Sequence, residues 1–143
     1  MISHTAQYGI RALVYLTEVG TEANVTSAEV AAATGLPQNY LTKVLNTLVQ
    51  VGILESTRGP NGGFRLAVLP GDLYLSAALA PFEEPDPGRC LLGHDCCRQE
   101  VDCPCQTRCR RLSAEINRFL DTTSIADLAG GGGDYHRSTV SGG

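Results

Sequence analysis

The chain has 143 residues, 43% hydrophobic and 18% charged, which suits one globular domain with a real core and excludes a chain kept open by its own charge. No apolar run is long enough for a membrane span, and MISHTAQYGI lacks the basic-then-apolar layout of a secretory leader, so a cytoplasmic protein is expected. The net charge of −4 argues by itself against a nucleic-acid partner, but the cations are unevenly placed and Lys43 is the only lysine.

In chain order, residues 3–20 read as a first helix, with Ile10, Leu13, Val14 and Leu16 at helical spacing and Gly20 where a helix ends. Thr26-Ser27-Ala28-Glu29 is a capping box, a hydroxyl at the N-cap and a carboxylate three residues on. It predicts a short helix through Thr34 with Gly35 as its stop. Leu36-Pro37 makes the turn into a third helix over 38–51, proline suiting a first helical position because its missing N–H is unpaired there anyway. Leu41, Val44, Leu45 and Leu48 form its apolar face, while Gln38, Asn39, Thr42, Lys43, Asn46 and Gln50 form the other. Residues 53–58 read as a strand, Gly59-Pro60-Asn61-Gly62-Gly63 as a turn, and 64–67 as the returning strand. Helix, helix, short turn, helix, hairpin is a winged helix-turn-helix, so the fold class is mainly α with a small β-hairpin.

Residues 71–80 predict a further helix, and the proline- and acid-rich stretch 81–88 a linker or rigid loop. A longer helix is expected from 107 to 121, with Leu112, Ile116, Phe119 and Leu120 on one face. A small domain has little room to bury a second lone amphipathic helix, so this stripe is expected to meet its copy in another subunit. The organisation expected is a winged helix-turn-helix over 1–80, a cysteine-rich loop and dimerisation helix over 81–129, and a disordered tail over 130–143.

A helix-turn-helix places its second helix in the DNA major groove and makes base contacts from that helix's N-terminal residues. Here Gln38 and Asn39 suit adenine edges and Lys43 suits guanine, beside Thr42, while Tyr40 has the reach for a phosphate. Arg58 with Gly59 at the wing suits the narrow, electronegative minor groove. Against this, a polar helix face is also what plain solvation produces, and winged helices also serve as protein–protein modules.

All six cysteines lie between Cys90 and Cys109, too bunched for a disulfide framework. Their spacing is Cys90-x5-Cys96-Cys97-x5-Cys103-x-Cys105-x3-Cys109, without the Cys-x2-Cys pairs that structural zinc favours. Wide gaps suit the larger iron–sulfur cluster. A zinc loop, a metal-free thiol–disulfide sensor and bystander cysteines remain open on the spacing alone. No nucleophile–base pair, phosphate loop or paired carboxylate motif supports catalysis.

The chain resembles the Rrf-two family of bacterial winged-helix transcription regulators, whose members include iron–sulfur regulators of the IscR, NsrR and RirA types. The resemblance runs from Ile2 to about Leu128 and rests on four pieces in order. These are Tyr40-Leu41-Thr42-Lys43-Val44-Leu45 with Leu48, Ser56 to Phe64, Cys90-Leu91-Leu92-Gly93 through Cys97 to Cys103-Pro104, and Phe119 to Leu128. It implies a homodimer on an inverted-repeat operator in double-stranded DNA. It also implies three cysteines holding a two-iron or four-iron cluster: Cys90, Cys97 (with Cys96 as the alternative) and Cys103. Where relatives carry a histidine or an acid as fourth ligand this chain has Gln106 and Gln7, which leaves Cys105, Cys109 or no protein ligand for that bond. The reading is a non-catalytic DNA-binding regulator controlled by a cluster. A metal-free thiol sensor or an iron–sulfur carrier is the alternative.

Overall fold

The computed structural model describes residues 2–83 and 103–130. Cys90, Cys96, Cys97 and the tail beyond Gly130 lie outside the described residues, and with them the expected cysteine loop and disordered tail.

The first helix, α1, runs His4–Val19, opened by the Ser3 hydroxyl accepting from the Ala6 amide and closed at Gly20. Its apolar stripe is buried as the spacing predicts, Leu13 and Val14 completely. The capping box is made in both halves: Glu29 N–H donates to the Thr26 hydroxyl at 3.2 Å and Thr26 N–H to the Glu29 carboxylate at 2.7 Å. These bonds satisfy amides that α2, Ser27–Thr34, leaves without helical partners, and Gly35 ends it in the left-handed region at φ 73°. Pro37 is the N-cap of α3, Gln38–Gln50, one position earlier than its usual place inside a helix. Leu41, Val44, Leu45 and Leu48 turn α3 onto the core.

Strands β1 (Leu54–Thr57) and β2 (Gly63–Leu66) pair antiparallel, with Leu54 opposite Leu66 and Thr57 opposite Gly63. The wing also has a third partner. Val25 forms a bridge with Phe64, its N–H donating at 2.9 Å and its carbonyl accepting at 2.7 Å. That close approach explains Gly63: its φ is +151°, and a Cβ there would lie 2.7 Å from the Val25 carbonyl oxygen.

The helix expected over 71–80 is shorter. Helix α4 covers Leu75–Leu79, because the chain before it is tied elsewhere. Leu75 N–H donates to Thr123 O at 2.9 Å, and Ile125 N–H to Leu73 O at 2.8 Å. Groups committed across the molecule in this way do not continue a helix. Helix α5 runs Gln106–Thr122, and α6, Ile125–Ala129, was not anticipated from periodicity. Ser124 and Asp127 form a second capping box there, and Ile125 is fully buried. Helix α6 packs on α1, so a segment placed by sequence in the second unit joins the core of the first. The start of the expected linker does likewise. Phe82 packs against that core, its ring lying where a Cβ at Gly9 would come within 2.8 Å, and Glu83 accepts from Ser3 N–H at 2.6 Å.

Candidate nucleic-acid interface

Apart from Tyr40, which bonds Thr5 on α1, the expected DNA-reading residues of the third helix share one side of α3. Gln38, Asn39, Tyr40 and Lys43 are exposed, with Asn46 and Gln50 further along. Four buried apolar side chains on the opposite side hold the helix against the domain, which fixes the polar face outward. Thr42 is half-buried and its hydroxyl donates to Gln38 O at 2.9 Å, which leaves the oxygen free to accept. The side chains of Gln38, Asn39 and Lys43 make no hydrogen bond to another element among the described residues.

Arg58 and Gly59 are exposed at the end of β1. The wing tip is held by Gly62 N–H to Gly59 O at 2.9 Å, and by the Asn24 side-chain amide to Asn61 O at 3.2 Å. The hairpin's other arginine, Arg65, is spent on Glu55 at 2.9 Å across the strands. Arg58 and Lys43 form no ion pair among the described residues, so the two expected DNA-facing cations retain their charge for a polyanion.

Tyr40 stands apart from its neighbours. Its hydroxyl hydrogen-bonds that of Thr5 on α1. Its ring meets Tyr8 edge-on, centroids 5.5 Å apart at 89°. Arg11 lies 5.9 Å over the Tyr8 ring, and His4 is tilted against it at 6.4 Å. Sequence reading missed this group. The signal was faint: His4, Tyr8 and Arg11 share a face of α1 at helical spacing, which alone reads as a solvated surface. Thr5, Tyr40, Lys43, Val44 and Thr47 line a shallow depression between the two helices.

Of the expected metal ligands, Cys103 is half-buried just before α5, Cys105 is exposed at its N-cap and Cys109 is half-buried one turn on. Cys105 O accepts from Cys109 N–H at 2.8 Å, so these two side chains rise from the same helix face. Among the described residues no three His, Cys, Asp or Glu side chains converge as a metal site. The described donors are soft thiols, with no acid in the first turn of α5 to favour a harder cation, so in chemistry they suit an iron–sulfur centre or zinc alike. Gln7 is exposed and its side-chain amide donates to Ile2 O at 3.0 Å. Leu112 and Phe119 of α5 are exposed, and no residue of that helix is buried within the described chain. No helix of the described residues is long and apolar enough to cross a membrane.

A family model described as Rrf2, iron-dependent transcriptional regulator, matches residues 2–131. The chain is 28% identical to the HTH-type transcriptional regulator NsrR of Geobacillus kaustophilus, covering 89% of this chain and 88% of that protein. It is 26% identical to the HTH-type transcriptional regulator IscR of Aliivibrio salmonicida, covering 89% and 76%. The solved structure of CymR, the global cysteine regulator of B. subtilis, superposes with a TM-score of 0.74 at 24% identity, covering 91% and 96%. That last likeness is one of fold. The winged helix, the outward polar face of α3 and the family match agree: the chain belongs to the Rrf2 family of transcriptional regulators, DNA-binding proteins that catalyse no reaction.

Proposed function

We propose that this regulator binds an inverted-repeat operator as a homodimer and that an iron–sulfur cluster controls its affinity. The observation that carries the reading is the pairing of two unspent surfaces in one chain. One is the α3 and wing face with Lys43 and Arg58 free of ion pairs among the described residues; the other is the α5 face with Leu112 and Phe119 bare. On DNA, Gln38, Asn39, Thr42 and Lys43 meet base edges in the major groove, Tyr40 lies at the helix flank, and Arg58 with Gly59 enters the minor groove. On the partner, the α5 stripe covers its own copy. That contact spaces the two recognition helices to match half-sites about 34 Å apart.

Cys90, Cys97 and Cys103 hold the cluster, Cys96 being the alternative second ligand and Cys105 or Cys109 the candidate fourth. When bound, a cluster supplies a centre sensitive to oxidation, nitric oxide or iron supply. The chain's own part is mechanical. Phe82, just before the cysteine-rich stretch, seats on Gly9 of α1, Glu83 accepts from the N-cap residue Ser3, and α1 packs on α3, which is the route this reading gives from that stretch to the recognition helix. A tenfold change in operator affinity needs a bias of about 1.4 kcal/mol between the two dimer states. The winged helix occupies 1–80 in this reading, the ligand stretch and dimer helix 81–129, and the protein acts in the cytoplasm.

A second reading is a metal-free thiol regulator. It is favoured by the exposed thiol of Cys105 and by the fold shared with CymR, a cysteine regulator. Visible absorption with iron and acid-labile sulfide assays on anaerobically purified protein separates the two. Brown protein with matched iron and sulfide supports the cluster. Colourless protein that stays iron-free after reconstitution, with DNA affinity that follows disulfide formation, overturns it in favour of the thiol switch.

A further inference from the structure

Apolar packing is non-directional. The leucines and valine beneath α3 fix which face points outward, and a directional contact near its first turn adds a further constraint on its rotation about its own axis. Base readout needs that rotation defined, because donors and acceptors on Gln38, Asn39 and Lys43 must align with groove edges. The first turn of α3 has no side-chain cap at Pro37 to orient it. What it has is Tyr40. The Tyr40 hydroxyl is bonded to Thr5, and its ring stands edge-on against Tyr8, itself flanked by Arg11 and His4. Tyr40, Lys43, Val44 and Thr47 line the α3 side of the depression facing Thr5, while Asn39, Asn46 and Gln50 project from an adjoining exposed face.

From this geometry we infer that Thr5 and Tyr8 are positioning residues for DNA recognition: with Tyr40 they form a clamp that sets the rotation of the recognition helix on α1. The inference rests on the DNA reading above and deepens it. It gives Tyr40 a role through α1, distinct from a direct bond to phosphate. The clamp stands on α1, which Phe82 contacts at Gly9 and Glu83 meets at the N-cap residue Ser3.

The test is a double-mutant cycle on the full chain, read by fluorescence anisotropy over a salt series. The probes are a duplex that the wild-type protein selects from a random-sequence pool and a scrambled duplex. Thr5→Val and Tyr40→Phe each remove one side of the hydroxyl bond and keep the side chain's bulk. Each is expected to weaken the selected duplex about three- to tenfold, the scale of one hydrogen bond. The double variant is expected to lose no more than either single one, since both remove the same bond. The scrambled duplex and the salt slope are expected to stay at wild-type values, while Thr5→Ser, which keeps the hydroxyl, retains affinity for the selected duplex. Thermal melts of each variant separate misfolding from mispositioning.

A different result overturns the clamp. If Tyr40→Phe weakens both duplexes alike while Thr5→Val changes nothing, Tyr40 is a phosphate contact. If both variants bind as wild type, the bond does not position the helix. If the wild-type protein enriches no sequence from the pool, the DNA reading falls and the clamp falls with it.

Discussion

Leu13 and Phe119 both sit on apolar stripes at helical spacing, yet Leu13 is completely buried and Phe119 is 54% exposed. The first belongs to a core that draws on α1, α3, α4, α6 and the hairpin. The second belongs to a helix of 17 residues with none buried. Periodicity says that a face will be covered, and it does not say by what. In α1 the cover is the rest of the chain. In α5 the proposed cover is the same helix of a second subunit, which is why two stripes that look alike in sequence should respond to mutation in different ways.

The largest effect should come from breaking the first region. Leu13→Ala leaves a cavity in a close-packed interior and should destabilise the fold by about 2–5 kcal/mol, measured by urea titration at fixed protein concentration. Gly63→Ala follows, at about 1–3 kcal/mol, since the residue holds φ +151° against the Val25 carbonyl. Operator binding should weaken with it if the wing turns away from its seat. Ser124→Ala removes one half of the α6 capping box and should lower stability by about 1 kcal/mol in the same assay, with α6 fraying from α1 in hydrogen exchange.

Phe119→Ala should act in the opposite way. At infinite dilution its cost to the folded chain should be within about 0.5 kcal/mol, because little packs on it within the subunit. Its effect should show instead as a raised dimer dissociation constant in sedimentation velocity. A wild-type dissociation constant would mean that α5 is covered by something other than its own copy. A small effect is expected for Arg65→Ala: the ion pair with Glu55 joins two half-exposed side chains, and such pairs stabilise by no more than about 1 kcal/mol.

Much of the architecture is legible in the sequence, for local reasons. The Thr26–Glu29 box, Gly35 and Pro37 mark helix ends within a few residues of chain, and α2 and α3 lie where those signals put them. The outward polar set of α3 was equally legible, since four leucine and valine positions define the opposite face. The chain before α4 misled because its alternative partners lie some fifty residues away, in the segment that leads into α6. Helix α6 itself is five residues long, too short for periodicity to register.

The sequence by itself therefore determined α1 to α3, the hairpin, the longer helix α5 and the types of residue offered to DNA, because each of these is set by neighbours within a turn or two of chain. Tertiary structure alone decided how those elements lean on one another. It placed Val25 against the wing, Ile125 inside the first core, Phe82 on Gly9 and the Tyr40 hydroxyl on Thr5. Each of those pairings joins residues that no local pattern connects. They form because closing the intervening chain costs entropy that burial and hydrogen bonding across the whole domain offset together.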